Sequence, residues 1–158
     1  MRLRTLLRPR LWQGVLGGAF ILLALIGFWP SPVDRPVQGE IAGALLLLHA
    51  YGIPGWVNYA FVEASANVVL FVPVGIAANF AFPRKKWWQN AALGLLVSAC
   101  MELGQLLFLS SRFASPLDVI TNTAGCAAGT LMAAAAVKAL RDQQAQRLSA
   151  PGLPKSRV

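Results

Sequence analysis

Only six acidic side chains serve this 158-residue chain, and three of them, Glu63, Glu102 and Asp118, lie inside or at the edge of apolar runs. A carboxylate in such a place loses its water, so it must be paired, protonated or open to a polar cavity. Each of the three has an amide at helical spacing: Glu63 with Asn67, Glu102 with Gln105, Asp118 with Asn122. Separations of three or four residues put both partners on one helix face. Arg112 falls between the second and third pairs. A guanidinium binds phosphate or carboxylate through paired hydrogen bonds. Carboxyls beside it can orient the bound group or move its protons. Glu102 and Asp118 are therefore the candidate acid–base residues, and Arg112, Gln105, Asn122, Asn67 and Glu63 the candidate ligand-binding ones. Glu102 leads, because it sits mid-helix where neither a cap nor a helix dipole stabilises its charge. Three acids facing one arginine leave excess negative charge in a low dielectric, so at least one carboxyl is expected to be protonated or to meet a cationic ligand.

Each residue also has a plainer reading. Ser115-Pro-Leu-Asp118 is a good helix start, with Ser as N-cap, Pro at the first position and Asp at the third. Glu63 lies near a helix N-terminus, which favours an anion. Asn67, Gln105 and Asn122 can act as hydrogen-bond ties between helices. His49 reads as an anchor at the membrane interface. Ser98, one helical turn from Glu102, reads as a packing residue.

The elements that carry these residues are membrane spans. A hydrophobic content of 56% with only 13% charged residues excludes an ordinary soluble domain, and a mean hydropathy of +0.57 agrees. The first span, Leu11–Trp29, is free of charge and long enough at about 28 Å to cross a bilayer core. Arg2, Arg4, Arg8 and Arg10 precede it, but its apolar run is too long for a signal peptide and Pro30-Ser-Pro follows it. The other spans are expected at Val62–Phe82, Ala91–Leu109 and Leu117–Ala139. Pro73 near the middle of the second frees the carbonyl of Val69 and predicts a kink. Gly14 with Gly18, and Gly125 with Gly129, are spaced for close helix contact.

The run Ile41–Val57 is interrupted by Gly52, Pro54 and Gly55. Its helical part, Ile41–Tyr51, would reach only about 16 Å, too short to cross. It is expected to be an interfacial or re-entrant helix on the outer side, anchored by Trp56 and Tyr59. The fold class is thus an all-α membrane protein of four transmembrane helices with one outer interfacial helix. Residues 1–140 make the membrane domain, and 141–158 a polar, partly disordered tail. With both termini in the cytoplasm, all but Arg35 and Arg112 of the 14 basic residues fall inside, as the positive-inside rule requires. That distribution also explains the net charge of +8 without nucleic acid. Glu63, Glu102 and Asp118 then face outward, with Glu102 about 10 Å below the end of its span. Cys100 and Cys126 read as small core residues rather than a disulfide. One His and the absence of clustered Cys/His spacing argue against a metal, and no phosphate loop or nucleophile motif calls for a cofactor.

Two stretches resemble the VanZ-like family of bacterial membrane proteins. One is Asn67-x-x-x-Phe71-x-Pro73-x-Gly75. The other is Glu102-x-x-Gln105 followed by Arg112, Asp118, Asn122, Gly125 and Gly129. The resemblance covers roughly Glu63 to Leu131. Many members carry another acid in the turn before the last span, where this chain has Ser115. The resemblance implies a multi-pass protein of the bacterial inner (cytoplasmic) membrane with a site facing the cell envelope. The family takes its name from a protein associated with resistance to the glycopeptide teicoplanin, a theme that does not transfer resistance to this chain.

Three functions follow as expectations. The first is recognition or modification of a lipid-linked or amphiphilic envelope molecule in an outward pocket, with Arg112 on its head group. The second is a small proton- or cation-coupled transporter, which with four spans would need to form a homo-oligomer. The third is a scaffold subunit in which the polar residues only tie helices together.

Overall fold

A helix in lipid satisfies its own backbone, and among the described residues helices are the regular structure this chain uses. The computed structural model describes residues 8–29, 35–109 and 115–149, the side chain of Leu148 excepted, and within these every regular element is helical. Helix α1 is Pro9–Gly27; a 3-10 turn, Arg35–Val37, leads into α2, Gln38–Ala50; α3 is Tyr59–Ala81, α4 Trp87–Phe108 and α5 Pro116–Ser149. Helices α1, α3, α4 and the Pro116–Arg147 part of α5 are long and apolar enough to cross a bilayer. The chain is a multi-pass, all-α membrane protein with the four expected spans. Helix α2 has 13 residues, about 20 Å, and stops short of crossing.

The helix ends differ from the apolar pattern where polar groups extend them. Asn58 caps α3, its Oδ1 accepting from the Phe61 N–H at 3.1 Å, so the helix begins before Val62. Gln89 reaches back to accept from the Lys86 N–H at 2.9 Å, which draws Trp87 and Trp88 into the first turn of α4. Helix α5 runs past Ala139 to Ser149, because Lys138 to Gln146 contains strong helix formers and no Gly or Pro. The first part of the expected tail is therefore helical. Helix α3 continues unbroken through Pro73, whose ring lies on an exposed side.

Lipid tails give helices little hydrophobic reason to associate, so close packing must do it. The tightest seam joins α3 to α5. A Cβ on Gly125 would strike the Val68 carbonyl, one on Gly129 the Val72 carbonyl, and one on Gly75 the Cys126 carbonyl. The Thr130 hydroxyl also donates to the Gly75 carbonyl at 3.1 Å. Gly14 and Gly18 carry the same spacing with a different result: a Cβ on either meets nothing within 4 Å. Helix α1 instead turns another side to α3. Trp12 stacks on Phe80 with ring centroids 4.7 Å apart, Gln13 Nε2 donates to the Ala81 carbonyl, and Leu16 and Leu23 are buried. The two glycines lie about 200° around the helix from Trp12 and Leu16.

Both cysteines are free, but only Cys126 belongs to the core. Cys100 is exposed, since the buried side of α4 is defined by Asn90, Gly94, Ser98 and Gln105.

Candidate functional site

Helix α4 carries a polar or small residue at every fourth position, Asn90, Gly94, Ser98 and Glu102, which makes one stripe along an otherwise apolar helix. Helix α5 answers in reverse order. Cys126 Sγ donates to the Asn90 carbonyl at 3.3 Å, and a Cβ on Gly94 would press against the Cys126 side chain. Asn122 Nδ2 donates to Ser98 Oγ at 2.9 Å. At the far end, Glu102 Oε2 accepts the Ser115 backbone N–H at 2.7 Å. The seam between the two helices is therefore polar along its length, ending in a carboxylate.

That last contact corrects the reading of Glu102 as a carboxyl no helix end stabilises. Glu102 is mid-helix in α4, but its tip rests on the N–H of Ser115, the residue just before α5, where unpaired N–H groups and the helix dipole favour an anion. The start of α5 lies against α4 here, bringing together residues 13 apart in the chain. Asp118 is bound to the same residue. Ser115 Oγ donates to Asp118 Oδ1 at 3.1 Å and accepts from the Asp118 N–H at 3.3 Å. In a complete capping box the acid at this third position would take the N-cap N–H. Here Glu102 takes it from across the bundle, and Asp118 holds the hydroxyl instead. Both half-buried carboxyls are thus one hydrogen bond from Ser115.

The remaining predicted residues divide. Gln105 is buried and committed: its Nε2 donates to the Gly27 carbonyl at 2.8 Å, closing the C-terminal end of α1. Asn122 is committed through its nitrogen, while its buried Oδ1 has no partner among the described residues. Glu63 is exposed in the second turn of α3 and Asn67 half-buried one turn further on, so both stand on a helix outside the α4–α5 seam. Arg112 lies in 110–114, outside the described residues. His49 is an anchor, its Nε2 on the Val57 carbonyl at 2.9 Å. Near it, Trp56 packs edge-on against Phe61 and Tyr59 OH accepts from Gln38 Nε2 at 3.3 Å, so α2 is tied to the start of α3.

Two seam residues carry more weight than the sequence alone suggests. Ser98 is the acceptor for Asn122, and Asn90 is 2% exposed, its Nδ2 without a partner among the described residues. Their signal is the four-residue period they share with Glu102.

Four apolar spans joined by a glycine seam and a polar seam define a small polytopic membrane protein with a carboxyl pair at one end of its bundle. The chain belongs to the VanZ/LLP1 family, whose profile matches residues 18–137 and so takes in every candidate site residue. No curated protein and no solved structure matches it.

Proposed function

We propose that this VanZ-like membrane protein recognises or modifies an amphiphilic or lipid-linked molecule of the cell envelope, at the end of the bundle where Glu102 and Asp118 meet. The observation that carries this reading is the pair of carboxyls held on Ser115 at the N-terminus of α5. One turn below, the unpartnered Oδ1 of Asn122 supplies a further acceptor. Such a group of acceptors suits the hydroxyl or ammonium groups of a head group, and Arg112, three residues before Ser115 in the sequence, suits its phosphate or carboxylate. If the molecule is modified, Glu102 is the acid–base residue and Asp118 its partner. The positive-inside distribution turns this end toward the envelope.

Lipid extracts from membranes containing the wild-type chain, Arg112→Ala or Glu102→Gln, compared by mass spectrometry, test the proposal. The wild type is expected to retain or convert one envelope amphiphile. Arg112→Ala should lose retention, and Glu102→Gln should slow any conversion by about 10²-fold or more. Identical extracts from all three would sink it.

A scaffold is the second reading, favoured by the Gln105–Gly27 and Asn122–Ser98 bonds, which tie α4 to α1 and α5 as interhelical glue would. Under it Glu102→Gln keeps its phenotype, because the amide oxygen still accepts the Ser115 N–H.

A further inference from the structure

At the opposite end of α4 lies a cavity of about 350 Å³ whose lining includes Phe82, Lys85, Asn90, Leu93 and Leu96. Its chemistry changes with depth. Lys85 stands in the loop before α4, in the basic run Arg84-Lys85-Lys86. Asn90 is one turn inside the helix, and Leu93 and Leu96 follow at steps of about 4.5 Å along the axis. Among the described residues no carboxylate lines the cavity. Leu96 is 60% exposed, so the apolar part opens toward the bilayer.

Asn90 is the feature that needs an occupant. Its backbone carbonyl is taken by Cys126, and its neighbour Gln89 is taken by the Lys86 N–H. Its own Nδ2 is buried with no partner among the described residues. A buried donor left unsatisfied costs about 1–3 kcal/mol, and more where no water can reach it. Asn90 is one of the residues lining the cavity, and its terminal torsion is broad, so a rotation presents the donor to the cavity.

We propose that this cavity holds an anionic glycerophospholipid of the leaflet at the basic end of the bundle. Lys85 binds the phosphate, Asn90 Nδ2 donates to a carbonyl of the glycerol esters, and an acyl chain runs over Leu93 and Leu96. The order cation, amide, apolar wall along α4 is the order phosphate, ester, chain along the lipid. The site lies at the far end of α4 from Glu102, so it stands or falls independently of the envelope-facing reading.

Native mass spectrometry of the full chain in non-ionic detergent, titrated with dioleoyl phosphatidylglycerol or dioleoyl phosphatidylcholine, tests it. One phosphatidylglycerol per chain should bind ahead of phosphatidylcholine. Lys85→Ala should weaken phosphatidylglycerol binding about tenfold, and Asn90→Leu by a similar factor. Arg147→Ala, at the exposed end of α5, should leave it unchanged. Excess glycerol 3-phosphate should fail to displace the lipid, because it lacks the chain. Equal binding of the two lipids, wild-type binding by Lys85→Ala, or displacement by glycerol 3-phosphate would each overturn the proposal. Should Asn90→Leu not fold, Lys85→Glu decides the matter, since that side chain is exposed and its reversal should abolish the preference.

Discussion

Ser115, the residue before α5, is held by two acids that come from different directions. Glu102 takes the Ser115 N–H and Asp118 the Ser115 hydroxyl, so removing the charge of Glu102 and removing its hydrogen bond are separable changes. Glu102→Gln keeps an acceptor at the same place and should lower stability by only about 0.3–1 kcal/mol, the worth of an anion at a helix N-terminus. Glu102→Leu leaves the amide bare and should cost roughly 1–3 kcal/mol. Thermal unfolding in detergent, read by tryptophan fluorescence, should order the three proteins wild type, Gln, Leu. A reversed order would remove the cap from across the bundle. Deeper in the seam, Ser98→Ala leaves Asn122 with neither polar atom paired. The tie itself is worth about 0.6 kcal/mol on average inside a bilayer, so the larger part of the loss should come from the stranded amide. Adding Asn122→Leu to Ser98→Ala should then recover stability, and a double variant less stable than the single one would contradict this. The sequence showed Glu102, Asp118 and Asn122 as unusual because a polar residue in an apolar run is visible without any fold. It did not show their partners. Ser115 and Ser98 are ordinary residues until the fold sets them against an acid and an amide.

At the scale of elements, the same four-residue glycine spacing has two outcomes in one chain. Gly125 and Gly129 bring α5 onto the backbone of α3, whereas Gly14 and Gly18 face away from every described residue. Gly129→Val should therefore force the α3–α5 seam apart, costing about 1–3 kcal/mol or more through overpacking against carbonyls that cannot move aside. Gly14→Val should be near neutral for the folded chain, save for a small change in helix propensity. Size-exclusion profiles and unfolding temperatures of the two variants should differ sharply; equal behaviour would mean the seam is not where the helices meet. Spacing identifies a face able to pack closely, but which helix comes to it is decided by the rest of the bundle. Helix existence was legible from long apolar runs, and helix ends were less so. Asn58 and Gln89 extend α3 and α4 outward by hydrogen bonds that hydropathy does not register. The continuation of α5 to Ser149 rests on helix propensity rather than on apolar surface.

For the whole molecule the decisive question is which side each end of the bundle faces. Four crossings return both chain ends to one side, and a crossing by α2 would place them on opposite sides. Helix α2 is too short at 13 residues, about 20 Å, for a hydrocarbon core of roughly 30 Å. It is also held at the start of α3 by the Gln38–Tyr59 and His49–Val57 contacts rather than threaded through the bundle. The basic residues of the α3–α4 loop and of α5 then lie together with Arg8 and Arg10 at the end marked by the Trp12–Phe80 stack. The positive-inside rule predicts that this end is cytoplasmic. Reporter fusions after residue 149 and within 84–86 should be active only as cytoplasmic reporters, and one within 52–55 only as an exported one. Replacing Arg84, Lys85 and Lys86 by glutamine should blur this pattern while leaving the helices intact by circular dichroism, because the loop cations set orientation and not fold. An exported reporter after residue 149 would mean either an inverted bundle or a crossing by α2, which a reporter at the N-terminus tells apart. Either would leave Glu102 and Asp118 in the same leaflet as the α2–α3 loop, but would remove the charge argument that directs them to the envelope.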